Sequence, residues 1–65
     1  MEEVIRALQE LGVEVVEAIE LPEKIAVFVE LGHVEDPLEE LLKIKRRLRE
    51  VDRELAKMVV LLPAD

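Results

Sequence analysis

The sequence predicts a two-layer α/β sandwich in the order αββαβ, an α+β domain with a three-stranded mixed sheet and two helices on one face. Three observations lead there. Apolar residues recur at helical spacing through 2–11 and again from 38 to 56; the period falls to two through 13–31; and a short run, MVVLL at 58–62, is apolar on both faces and closed by Pro63. Residues 1–65 read as a single domain, with no linker, repeat or low-complexity segment.

The first helix, EEVIRALQEL, places Val4, Ala7, Leu8 and Leu11 on one face and its charged residues on the other. Glu2 and Glu3 suit the positive end of the helix dipole, and Gly12 supplies a left-handed stop from which Val13 folds back on Leu8. Two β-rich runs follow, 13–21 and 25–31, around the turn Pro22-Glu23-Lys24. A three-residue loop pairs Leu21 with Ile25, Ile19 with Val27 and Glu17 with Val29, so Ile19, Leu21, Ile25, Val27, Val29 and Leu31 are expected to face the helices. At the second helix Asp36 is the cap, Pro37 takes the first helical position where a missing N–H costs nothing, and Glu39 closes a capping box. That helix is expected to run to about Ala56, with a seam of Leu41, Ile44, Leu48, Val51, Leu55 and Met58; fewer than three heptads make a coiled coil the weaker alternative.

A right-handed crossover makes the third strand parallel to the second, either beside it or one strand away. The order 1-2-3 is favoured over 3-1-2, because a central first strand would bury Glu17 on the helix side while an edge strand tolerates it. A bulge near Glu17 would weaken that argument.

Composition narrows the functional classes. Thirty-three residues are apolar and twenty-five charged, with no Ser, Thr, Asn, Cys, Tyr or Trp. Hydroxyl and thiol nucleophiles, disulfides, thiolate metal sites and N-glycosylation are thereby excluded, and neither enzymatic activity nor a cofactor is expected. The net charge of −7 is uneven: residues 1–42 hold twelve acids and two bases, residues 43–65 seven bases and four acids. An acidic chain, with pI near 4.7, is a poor partner for a phosphate backbone. No apolar run approaches the roughly 18–20 residues that span a bilayer, and the acidic start Met-Glu-Glu is unlike a signal peptide. A soluble intracellular or recombinant protein, with no membrane, nucleic-acid or small-molecule substrate, is the expectation.

In topology the chain resembles a ferredoxin-like βαββαβ domain lacking its first strand, as in small ligand-sensing regulatory modules. It more closely resembles a de novo designed α/β miniprotein of the helix–hairpin–helix–strand class. The features that carry this are the Asp36/Glu39 capping box, the Gly12 stop, Glu/Lys/Arg-only surfaces and the missing Ser, Thr and Asn, of which ordinary composition would supply on the order of ten. A Glu/Lys/Arg-rich thermophile domain is the natural alternative. Designed chains of this class serve as scaffolds for binding proteins, so the resemblance implies a binder and assigns no site residues.

The departure from a plain scaffold is the sheet face turned from the helices. Even positions of the hairpin place Val16, Ala18, Ala26 and Phe28 between charged ends, and either Val59/Leu61 or Met58/Val60/Leu62 must join them, the first set being expected. An apolar centre holding the only aromatic, rimmed by charge, fits a protein-binding surface, though Val and Phe also suit solvent-facing strands for local reasons. The partner is a second protein, or a second copy in a homodimer; a functionless fold-design scaffold and a small ligand-sensing domain are the alternatives.

A second candidate is the outward stripe Leu42, Arg46, Arg49 and Arg53, suited to an acidic partner or simply a solvated helix surface with Glu39/Lys43 and Arg46/Glu50 pairs. His33, near Glu35, Asp36, Glu39 and Glu40, is a poor metal or acid–base candidate, because it has no spaced partner and the acids have capping and dipole roles; no metal is expected. The outer edge of the first strand, with Glu14, Glu17 and Glu20, either adds a partner's strand or repels one.

Overall fold

In the computed structural model, which describes residues 1–64, the elements follow the expected order with one helix broken in two. Helix α1 (Glu2–Glu10) leads to strand β1 (Glu14–Glu20) and strand β2 (Ile25–Glu30). Helices α2 (Pro37–Val51) and α3 (Arg53–Met58) then lead to strand β3 (Val59–Pro63). The sheet order is β1-β2-β3, with β1 antiparallel and β3 parallel to β2.

The end of α1 is the one its residues call for. The Gly12 N–H donates to the Gln9 carbonyl at 2.9 Å and the Val13 N–H to that of Leu8 at 3.0 Å, with Gly12 at φ +82°. These are the two bonds of a Schellman ending, and the left-handed φ is one glycine adopts without a Cβ penalty. At α2 the Asp36 carboxylate accepts the Glu39 N–H at 3.2 Å, the forward half of the expected box.

The long second helix does not run through to Ala56. Asp52 is extended, at φ −154° and ψ 102°, and its carboxylate accepts the Leu55 N–H at 3.1 Å. It therefore ends α2 and caps α3 in one residue, a competition that short acidic side chains offer to helical backbone. The break resets the helical phase. Val51 and Met58, expected in the seam, are exposed, and Ala56 enters the core instead.

The hairpin register also differs from expectation. Glu20, not Leu21, pairs with Ile25, and the chain reverses through Leu21–Lys24, closed by the Leu21 N–H donating to the Lys24 carbonyl at 2.8 Å. One more loop residue moves β1 by one position, and a slip of one exchanges its faces. Ala18 thus pairs with Val27 on the helix side, and Ile19 with Ala26 on the open side. The register shifts again between Val15 and Glu17, a bulge at Val16 that sets Val15, rather than the expected Glu17, opposite Val29 on the helix side. Glu17 therefore lies opposite Phe28, so the order 1-2-3 holds although the burial argument used to choose it does not.

The core lies between the helices and the odd-numbered face of β2. Val4 and Leu8 of α1, Leu41, Ile44 and Leu48 of α2, and Ala56 of α3 close over Ile25, Val27, Val29 and Val59. Each large aliphatic fully buried there contributes about 1.5–3 kcal/mol.

Candidate functional site

All the helices pack on one side of the sheet, so the opposite face has its own exposed rows. The registers place Ile19, Ala26 and Val60 in one row, Glu17, Phe28 and Leu62 in the next, and Glu14 with Glu30 beyond. Val60 is 38%, Leu62 36% and Ile19 42% exposed, while Phe28 is half-buried. Ala26 has little surface, because its short side chain stands between two larger row neighbours. Val16, at the bulge, is 56% exposed.

Three of the residues expected on this face belong to the other. Val59 is 1% exposed and part of the core, and Leu61 and Ala18 are half-buried against it. For Val59 and Leu61 the reason is parallel pairing with Ile25 and Val27, both core-facing; for Ala18 it is the slipped hairpin. The open set is thus Val16, Ile19, Ala26, Phe28, Val60 and Leu62. A run apolar on both faces carries no parity signal, so β3 could be oriented from sequence only through its partner strand. Ile19 was legible only to someone who knew the loop length.

On the helical side Leu42, Arg46 and Arg49 are exposed on α2, whereas Arg53 begins α3 beyond the extended Asp52, so the four do not form one helical stripe. Lys45, on the same helix, is half-buried and turned toward the sheet. Its ammonium donates to the Val59 carbonyl, and Lys24 donates to the Lys57 carbonyl at 3.4 Å. Burial, then the charge of Lys24, then that of Arg49, hold the Lys45 pKa below its ordinary value.

His33 is exposed in the β2–α2 loop, and among the described residues no three of His, Cys, Asp and Glu gather closely enough to hold a metal ion. No helix among them is long and apolar enough to cross a membrane. Comparisons with protein-family models, with curated proteins and with solved structures give no match.

Proposed function

We propose that this chain is a non-catalytic protein-binding module that buries its open sheet face, centred on Phe28, against a partner carrying an apolar strip bordered by Lys or Arg. The observation that carries the reading is the concentration of exposed Ile19, Val60 and Leu62 beside Phe28 on the face no helix covers. Binding energy would come from hydrophobic burial at these rows, and the acids Glu14, Glu17 and Glu30 at their margin would set orientation and favour a basic rim. Two copies at −7 each repel, which favours a different partner over a second copy. The propensity-matched caps and the absence of Ser, Thr and Asn support reading the chain as a designed miniprotein.

Partner capture with the parent chain, Phe28→Glu and Leu42→Glu tests the reading. Binding retained by Leu42→Glu and lost by Phe28→Glu, with amide shifts on partner addition confined to the open rows, is the expected outcome. A partner that ignores Phe28→Glu and leaves with Leu42→Glu would move the site to α2.

A further inference from the structure

β3 is an edge strand, and between it and α2 lies a half-open groove of about 270 Å3. Leu38, Leu41 and Leu42 form one wall, residues 59–61 the other, and among the described residues the charged ones lining it are Lys24 and Lys45. Leu38 and Leu42 are 69% and 54% exposed, so their apolar surface is open to a ligand. Neither lysine has a carboxylate within ion-pair distance among the described residues, where the ion pair present is Lys57 with Glu54. In a chain of net charge −7, these two cations donate to backbone carbonyls and have no carboxylate partner among the described residues, which leaves the mouth of an apolar groove positive and suited to an anion.

We propose that this groove binds a small amphipathic monocarboxylate, with its acyl chain against Leu38 and Leu42 and its carboxylate between the ammonium groups of Lys24 and Lys45. The site is separate from the open sheet face, although Val60 borders both, and the proposal does not depend on that face having a partner. Size favours a small ligand, because a half-open groove of about 270 Å3 lies just below the roughly 300–1,000 Å3 of ordinary small-molecule pockets. Edge geometry disfavours a peptide. The Ala64 N–H donates to the Val29 carbonyl, so even residues of β3 turn their polar groups to β2 and odd residues turn theirs outward. Of those outward positions the Val59 carbonyl is occupied by Lys45 and Pro63 has no N–H, which leaves too short a ladder for strand addition. Burial is the main cause of the lowered proton affinity of Lys45, with the charges of Lys24 and Arg49 behind it, and an arriving carboxylate would offset that repulsion.

Octanoate, octanamide and acetate titrated into the intact chain test the site, read by methyl and lysine side-chain NMR. Octanoate should produce saturable shifts at Leu38 and Leu42 and raise the titration midpoint of Lys45, and octanamide and acetate should each bind about tenfold more weakly or less. Lys24→Glu, an exposed change that leaves the Lys45 bond in place, should lose octanoate with an unchanged circular dichroism spectrum. Lys45→Gln should weaken it, and Phe28→Glu should bind as the parent does. Equal binding of octanamide, retention by Lys24→Glu, or no saturable shift through the millimolar range would each overturn the proposal.

Discussion

At the scale of single residues, three positions have roles that their surroundings make quantitative. A Cβ at Gly12 would meet nothing within 4 Å, so Gly12→Ala tests backbone conformation alone. A left-handed φ costs an L-residue about 1–2 kcal/mol, and thermal unfolding should register that loss without any change in the sheet. Asp52→Ala removes the carboxylate that caps α3, an expected loss of about 1 kcal/mol, which on a domain this size lowers Tm by about 4–8 °C. Lys45 has a lowered folded-state pKa, so between that value and the ordinary 10.5 the unfolded chain binds the extra proton. Stability from this group is therefore complete above 10.5 and lost as the pH falls through the folded value. Denaturant melts of the parent and Lys45→Met from neutrality upward should show their difference moving in the parent's favour as the pH nears 10.5; a constant difference would contradict the burial assigned to Lys45.

At the scale of elements, adjacent residues should behave oppositely. Ala18→Glu places a charge on the helix-facing side of β1, where several kcal/mol of desolvation is unmet, whereas Ile19→Glu falls on the open face. Val59→Glu and Val60→Glu make the same contrast on β3, and urea midpoints of the four variants check both registers at once. Elements that end in strong local chemistry were legible in the sequence: Gly12 after Leu11, and Asp36-Pro37 before Leu38. What was not legible depended on a choice between similar local energies. Three or four turn residues both close this hairpin, and Asp52 lies within an otherwise continuous helical spacing that carries no sign of the extended backbone with which it caps α3. The open face was therefore anticipated as a face, through Val16, Ala26 and Phe28, but Ala18, Val59 and Leu61 were assigned to the wrong side of it.

At the scale of the whole molecule, a 65-residue chain buries only about 60% of what it exposes when unfolded, so its stability rests on a few side chains. Leu48, fully buried where α2 meets the sheet, is one of them, and Leu48→Ala should cost about 2–5 kcal/mol in denaturant unfolding. An open face with exposed aliphatics is not needed for that core, which is why changes at Phe28 should alter association without unfolding the chain. Light scattering behind size-exclusion chromatography, on the parent and Phe28→Glu over an about hundredfold range of concentration, tests this most directly. The account predicts the monomer mass for both chains at every concentration, with matching circular dichroism. A concentration-dependent dimer that Phe28→Glu abolishes would contradict it, because the face assigned to a different protein would already be occupied by a second copy.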